Sequence, residues 1–487
     1  MSTKRPNILF AIADDASHMS AYGHTFLKTP NFDSVAHDGV LFTNAFTTNP
    51  KCAPSRASIL TGRHTWQLED ACDHQNVWPA KFAVFPDILA EAGYHVGFTG
   101  KGWAPGDWKR QGRTTNPAGP EYSARTLVPP SPTINKNDYA ANFVDFLDAR
   151  SGDEPFCFWY GGKEPHRPYK RGEGAENGKS VRESDVPEYL PRDSIVQEDL
   201  ADYAFEVEWF DKHLGHMLAE LESRGELDNT IVVVTSDNGM PFPRVKGNMY
   251  DYDFRLPFAA MWRNRTSGTS SGAERKPVVL SDMISFTDIA PTFIEAAGLK
   301  TRPDMSGRSF LSLFDAKTSG RFDPYRDRVC MGRERHDVGR EGDVGYPVRC
   351  LRTDNFLYVR NLKPELWPAG NPETGFTGCD SSPTKNLILD QHSRGEMHYF
   401  NLAFGKRPLE ELYAIPDDPD CMHNLANDPA YAHVCATMWA ELRGYLLAQS
   451  DPRVLGTGDV FDQYEYVGNP QHSWKRYVEG TWEPQKY

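Results

Sequence analysis

Asn7-Ile8-Leu9-Phe10-Ala11-Ile12-Ala13, followed by Asp14-Asp15, is the segment from which the architecture can be read. An apolar run this short has the pattern of a strand buried on both faces, and it stops at two carboxylates. Asp14 and Asp15 therefore stand at a strand's C-terminal end. Downstream, Thr29-Pro30 offers an N-cap and a first-turn proline for a short helix with Phe32, Val35 and Ala36 on one face and Gly39 at its end. The alternation continues with a helix from Phe85 to Ala92 before a strand from Tyr94 to Thr99. A helix from Tyr139 to Ala149 precedes Phe156 to Tyr160, and a long helix from about Glu198 to Ser223 precedes Ile231 to Thr235. Strands separated by helices of this length predict an α/β fold with a large, mostly parallel central sheet flanked by helices, and ligands gathering at the C-terminal strand ends.

The chain has 487 residues, 39% of them hydrophobic, which supports a substantial core and excludes a disordered chain. Asp plus Glu number 67 against 53 Lys plus Arg, a net charge of −14 that gives no electrostatic support to general nucleic-acid binding. No run approaches the ~18 apolar residues of a membrane span. No leader is seen either, so the chain as written is expected in the cytoplasm; a removed leader would place it in the periplasm or outside the cell. Eight cysteines without tight CxxC spacing argue against zinc ribbons and leave buried thiols and disulfides both open. Lys109 to Lys136 and Gly172 to Ser184 read as long loops over one sheet edge. After about Asp323, short extended segments (Val348 to Arg352, Phe356 to Val359) precede a helix from about Pro429 to Gln449. This predicts a larger domain over residues 1–325 and a smaller C-terminal α+β subdomain over 326–487, whose aromatic tail after Asp451 lacks helical period and wraps onto a surface.

The chemistry concentrates in Cys52-Ala53-Pro54-Ser55-Arg56-Ala57-Ser58-Ile59-Leu60-Thr61-Gly62-Arg63. A lone cysteine before a proline-initiated helix is ordinarily a buried thiol. The four fixed residues of C-x-P-S-R, however, arise by chance in only about a few of every thousand chains of this length. A second acidic segment, Thr235-Ser236-Asp237-Asn238-Gly239, follows the apolar run at Ile231 and so matches Asp14-Asp15 in topological level. Carboxylates and amides at two strand ends are hard oxygen donors suited to calcium or magnesium.

The Cys52 segment resembles the signature of type I sulfatases, in which the cysteine is oxidised after translation to formylglycine. The resemblance extends over nearly the whole chain, including Glu411-Leu412-Tyr413 and Asp417-Asp418-Pro419-Asp420 near the end. It implies the alkaline-phosphatase-like form of the α/β sandwich, with the 1–325 domain catalytic. In that family the aldehyde hydrates to a diol, one hydroxyl of which attacks sulfur while the other later expels sulfate. The resemblance further implies a divalent cation, usually calcium with magnesium as the other choice, held by Asp14, Asp15, Asp237, Asn238 and modified Cys52. Arg56, one helical turn after Cys52, would orient the diol; Lys101, after the strand ending near Thr99, would bind sulfate; and His166 would protonate the leaving group. A lone histidine is more often structural, and only the motif and the preceding strand distinguish this one. Lys246 corresponds to a further sulfate-contacting base, with Arg244 the competing assignment.

One departure stands out: many family members carry Lys-x-His where this chain has Lys101-Gly102-Trp103. His64, His74, or Lys101 and Arg56 alone are the open replacements for the missing histidine. Within the family the chain is most similar to sulfamidases, the N-sulfoglucosamine sulfohydrolases, through Ser236 to Pro243, Gly247 to Tyr250 and Tyr346-Pro347-Val348-Arg349. A sulfated saccharide is thus the implied substrate, N- or O-sulfated and algal polysaccharides included. A phosphonate monoester or phosphodiester hydrolase of the same superfamily is the alternative, and a catalytically silent glycan binder is disfavoured by the intact signature. Arg333, His336 and Asp337 are candidate sugar contacts, and Trp103, with Trp66, Trp78 and Trp108, a candidate stacking surface. A formylglycine-generating or sulfatase-maturing enzyme is an implied partner. Related sulfamidases are dimers, and the aromatic tail would suit such an interface.

Overall fold

The computed structural model describes residues 4–266, 277–468 and 473–483. The leader expectation, which turns on the first residues, and part of the tail expectation lie outside the described residues. The larger part of the chain comprises β1 (Asn7–Ala13), α1 (Pro30–Asp38), β2 (Val40–Phe42), α2 (Cys52–Thr61), α3 (Phe85–Glu91), β3 (His95–Gly100), α4 (Tyr139–Asp148), β4 (Phe156–Gly161), α5 (Ser194–Ser223), β5 (Thr230–Ser236), β6 (Phe258–Met261), β7 (Val278–Leu280) and α6 (Ile289–Ala296). The strands form one sheet of seven in the order β7-β2-β6-β5-β1-β4-β3. All neighbours are parallel except at β6, which runs antiparallel to both β2 and β5.

β1 lies inside this sheet, and its alternation divides the interior into two cores. Ile8, Phe10 and Ile12 enter the core shared with α2, α3 and α6, whereas Leu9, Ala11 and Ala13 enter the one shared with α1, α4 and α5. Burial on both faces is why the strand reads as one continuous apolar run. Register then brings the site together: Ala13 pairs with Ser236 and Ile12 with Gly161, so β1, β4 and β5 end side by side. The adjacent β3 ends at Gly100, where φ is +79° and a Cβ would lie 2.1 Å from the Gly161 carbonyl oxygen. Only glycine permits that approach.

Several local expectations are corrected. Thr29 does not cap α1 with its side chain; Asp211 of α5 accepts the backbone N–H groups of Asn31 and Phe32 at 3.1 and 2.7 Å instead. The segment from Lys109 to Lys136 does cover the β3 edge, where Tyr122 N–H donates to the Phe98 carbonyl at 2.7 Å. Gly172 to Ser184 does not. It contains a short helix, Glu173–Glu176, and sits on α5, where Asp202 accepts the Gly172 and Gly174 N–H groups. All eight cysteines are buried free thiols.

A second, antiparallel sheet follows in the order β8 (Arg328–Arg333), β9 (Val348–Thr353), β10 (Phe356–Asn361) and β11 (Glu410–Ala414). α7 (Pro383–Ser393) precedes β11, and α8 (Ala432–Ala448) packs across the sheet through Cys435, Met438, Leu442 and Leu446. The tail is not devoid of helix: Pro452–Leu455 and Trp474–Val478 are short helical turns. Its anchor is buried. Arg349 of β9 pairs with Asp451 at 2.7 and 2.9 Å and with Glu334 at 2.7 Å, and its guanidinium lies 5.2 Å from the Trp66 ring centre. Arg349 is therefore a structural weld, and Tyr346-Pro347-Val348-Arg349 belongs to the small sheet's core. Arg349→Ala leaves Asp451 buried without its counter-ion and leaves Glu334 with Arg453 alone, and we expect a loss of about 3 kcal/mol, read as a lowered urea midpoint.

Candidate active site

Asp14 and Asp15 leave the end of β1, Asp237 and Asn238 the end of β5, and Lys101 the end of β3. The Asp237 N–H continues the ladder by donating to the Ala13 carbonyl at 3.1 Å, which fixes the two acidic segments against each other. Asp15 has φ +76°, a left-handed conformation that aspartate tolerates and that redirects the chain after the strand. Cys52 is the first residue of α2, 1% exposed, and its thiol donates to Asp14 Oδ1 at 3.3 Å. Ligand atoms of Asp14, Asp15, Cys52 and Asp237 all lie within 4.8 Å of one another, and a nitrogen of His166 meets the same limit with Asp14 and Cys52.

The positive groups interleave with these carboxylates. Arg56 donates from Nε to Asp237 Oδ2 at 2.8 Å and from Nη1 to the Lys101 carbonyl at 2.6 Å. Lys101 Nζ lies 2.6 Å from Asp14 Oδ2, and Lys246 Nζ lies 2.6 Å from Asp15 Oδ2 and 3.1 Å from Asp380 Oδ2. Arg244, the competitor of Lys246, points away; it donates to the Tyr252 hydroxyl at 2.7 Å and the Leu402 carbonyl at 3.0 Å. His166 Nδ1 lies 2.7 Å from the Arg167 carbonyl, which can only accept, so Nδ1 carries a proton and Nε2, 3.8 Å from Asp15 Oδ2, faces the carboxylates. The loop is braced from behind. Arg167 donates to Asp199 at 2.9 Å and to the Pro241 carbonyl at 2.9 Å.

Burial pushes the Asp237 carboxyl up to about 7, with the neighbouring Asp14 charge adding to the effect and Arg56 opposing it. For Asp14 burial acts in the same direction, but Lys101, His166, Arg56 and Lys246 together hold it well below the ordinary carboxylate range. Burial, then Asp14, pushes the Cys52 thiol well above its ordinary value, which leaves it protonated and a poor nucleophile as cysteine. The Asn238 amide donates to Asp15 Oδ1 at 2.8 Å, while its own Oδ1 is buried with no hydrogen-bond partner among the described residues. Three buried carboxylates beside an orphaned amide oxygen are the donor set of a hard divalent cation, and the residues fit one.

The sugar-contact expectations are largely corrected. Trp103 is fully buried, donates from Nε1 to the Ala53 carbonyl at 3.1 Å and meets the Trp78 ring edge-on at 5.1 Å. It buttresses the start of α2 and cannot stack on a sugar; Trp66 and Trp78 are likewise in the core. Trp103→Ala should open a cavity beside Cys52 and cost about 3 kcal/mol in denaturant unfolding. Arg333 is buried, its guanidinium bound to the Gly247 and Pro368 carbonyls. His336 is buried against Asn49 at 2.7 Å. Arg333 supports the backbone and His336 the Asn49 side chain, and neither faces a ligand. Asp337 does reach the rim, 18% exposed, paired with Lys51 at 3.0 Å and His74 at 3.3 Å. Of the stand-ins for the absent histidine, His64 is spent on the Tyr445 hydroxyl at 2.6 Å and a stack on Trp66, and His74 on Asp337. Sequence reasoning missed Lys51 and Asp380. Lys51 adjoins the signature and was within reach; Asp380, in an irregular Gly-Cys-Asp-Ser segment, carries no local signal.

The family model for sulfatases matches residues 6–299. The chain belongs to the sulfatase family. It is 27% identical over 503 residues to human N-sulphoglucosamine sulphohydrolase, covering 94% of this chain and 93% of that one. It is 24% identical over 498 residues to an ulvan-active sulfatase of Formosa agariphila, covering 96% and 79%. Among solved structures, the phosphonate monoester hydrolase of Agrobacterium radiobacter superposes with a TM-score of 0.64 at 19% identity, covering 92% of this chain and 96% of that one. Such a likeness speaks for the fold alone, the alkaline-phosphatase-like arrangement that the resemblance implied. The enzyme is thus a hydrolase of sulfate esters or sulfamates. Among the described residues, no helix is long and apolar enough to cross a membrane.

Proposed function

We propose that this sulfatase removes sulfate from sulfated saccharides at residue 52, with N-sulfoglucosamine as the first candidate substrate. The observation that carries the reading is the placement of Cys52 within 4.8 Å of the carboxylates of Asp14, Asp15 and Asp237. Formylglycine at position 52 would supply an oxygen nucleophile and a divalent cation, calcium first and magnesium second, would supply Lewis acidity. Asp14, Asp15, Asp237 and Asn238 would hold the cation. Lys101 spends contacts on one carboxylate and Lys246 on two, and each ammonium, with three donors, retains an N–H for the sulfate oxygens, so charge developing on sulfate meets fixed donors. Arg56 is held on both sides, by Asp237 and the Lys101 carbonyl, and keeps those segments in register. His166, anchored through its Nδ1 proton, presents Nε2 to the departing sugar oxygen or nitrogen and, as the imidazolium carrying a second proton there, would hand that proton over and return to the neutral ring.

Because Cys52 is 1% exposed, a formylglycine-generating or maturing enzyme would have to meet this segment before the fold closes over it. A homodimer, the assembly of related sulfamidases, accompanies the same reading. The test is sulfate release from N-sulfoglucosamine, O-sulfated hexosamines and ulvan oligosaccharides, with peptide mass confirming formylglycine. Release from N-sulfoglucosamine is expected. Release from O-sulfated sugars alone would retain the chemistry and move the substrate, and turnover of phosphonate or phosphate esters alone would overturn the reading.

A further inference from the structure

His74 is 7% exposed, and its two ring nitrogens have different surroundings. Nδ1 lies 3.3 Å from Asp337 Oδ1, and Asp337 Oδ2 lies 3.0 Å from Nζ of Lys51, the residue before Cys52. Burial works against the Asp337 charge, but Lys51 and then His74 hold the carboxyl well below its ordinary range, so it accepts and Nδ1 carries the proton. Burial lowers the imidazole to about 4 against the pull of Asp337, and the ring is neutral. Nε2 is then a bare acceptor. It has no hydrogen-bond partner among the described residues, yet it is not sealed from solvent. One end of the ring is tied towards Cys52, and the free end opens at the rim that Asp337 reaches.

The backbone around the ring is clamped from two sides. The His74 N–H donates to the Arg335 carbonyl at 3.0 Å, and Asp73 Oδ1 accepts the Arg335 N–H at 2.8 Å. On the other side, Gln75 has φ +58° and its carbonyl accepts the Val467 N–H of the C-terminal tail at 2.8 Å. That bond brings Tyr466 alongside. Tyr466 is half-buried, its ring centre lies 5.9 Å from the Arg335 guanidinium, and its hydroxyl makes no hydrogen bond among the described residues and stays open to solvent. Burial, then the Asp337 charge, pushes the phenol up, so it keeps its proton. A neutral Nε2 cannot bind a sulfate oxygen, since both can only accept; a sugar hydroxyl can donate to it.

Resting on the sulfated-saccharide reading above, we propose that His74 is a specificity residue that reads the sugar rather than the sulfate. Its Nε2 accepts a hydrogen bond from a hydroxyl of the sulfated ring, and the Tyr466 hydroxyl, delivered by the C-terminal tail, bonds to the same ring. The tail thus completes the wall of the cleft that the buried Trp66, Trp78 and Trp103 do not supply.

The test is calorimetric binding to the full-length Cys52→Ala protein with calcium present, which reads affinity without turnover. The probes are N-sulfoglucosamine, glucosamine 6-O-sulfate and inorganic sulfate. Adding His74→Leu, which removes the acceptor, should weaken the tighter-binding sugar by about tenfold while the affinity for inorganic sulfate moves by less than about twofold. His74→Gln, which returns an acceptor oxygen near the place of Nε2, should recover most of that loss. Tyr466→Phe alters only a hydroxyl at a half-buried position, so it tests the same wall if His74→Leu fails to fold; it should weaken the sugar by about threefold and not inorganic sulfate. Sugar affinity unchanged in His74→Leu, or in Tyr466→Phe where the former does not fold, overturns the inference and spares the sulfatase reading. Sugar and inorganic sulfate weakened alike, as a displaced Lys51 would produce, also overturns it. Binding of neither sugar to Cys52→Ala overturns both.

Discussion

Cys52→Ala is expected to lower sulfate release by at least about a thousandfold, because in the proposed reaction this position supplies the nucleophile and no neighbouring group would replace it. Asp14 and Asp15 lie 3.3 and 3.9 Å from Sγ, and in the proposed reaction both would hold a cation rather than attack sulfur. Lys101 and Lys246 are ion-paired, and burial alone would favour neutral amines, but Asp14 and Asp15 respectively keep them protonated. They cannot act as nucleophiles in that state. Cys52→Ser sharpens the expectation. Its one hydroxyl can accept sulfate once but has no second oxygen to expel it, so intact mass should show at most one sulfate retained per chain and no sustained turnover. Alanine is small enough for the buried start of α2, and the thermal midpoint should hold while activity is lost. Retained turnover in a folded Cys52→Ala protein would remove position 52 from the reaction.

The frame around that residue was legible because it depends on pattern. Asn7 to Ala13 matches β1 residue for residue, since a strand buried on both faces must be apolar throughout, and Ile231 to Thr235 lies within β5 for the same reason. Strand ends then place Asp14, Asp237 and Lys101 without reference to distant contacts. Side-chain direction was less legible. Trp103 occupies a position next to the site, yet its indole turns into the core to meet Trp78 and the Ala53 carbonyl, a choice set by packing between loops far apart in sequence. Arg333 reads as a sugar contact in the sequence, and Arg349 as part of a segment resembling that of sulfamidases. The structure spends one on backbone carbonyls and the other on Glu334 and Asp451, the latter 102 positions away. The α1 cap was misplaced on the same principle: Thr29 is adjacent in sequence, but Asp211, 180 residues from Asn31, reaches the free N–H groups. Asp380 gave no signal, because its meaning comes from Lys246, which a separate loop delivers.

Removal of divalent ions should reduce sulfate release by at least about a hundredfold, and readdition of calcium should restore it. Asp14, Asp15 and Asp237 bring three buried carboxylates together, and Asn238 leaves an amide oxygen with no partner among the described residues. Burying like charges together is costly unless a counter-charge joins them. Arg56, Lys101 and Lys246 reduce that cost, yet burial, with the neighbouring Asp14 charge, still pushes the Asp237 carboxyl up to about 7. A divalent ion would remove the residual repulsion and satisfy the orphaned oxygen together. Asp237→Asn should therefore lose most bound calcium by elemental analysis and also lose the rise in thermal midpoint that calcium gives the unsubstituted protein. Asn238→Asp would supply a charged oxygen in place of the neutral one and should retain metal. These readouts do not depend on formylglycine, so they hold in a preparation where Cys52 is unconverted. A protein that is metal-free by elemental analysis and fully active would exclude the cation from the reaction and leave the carboxylate cluster to be balanced by Arg56 and the two lysines alone.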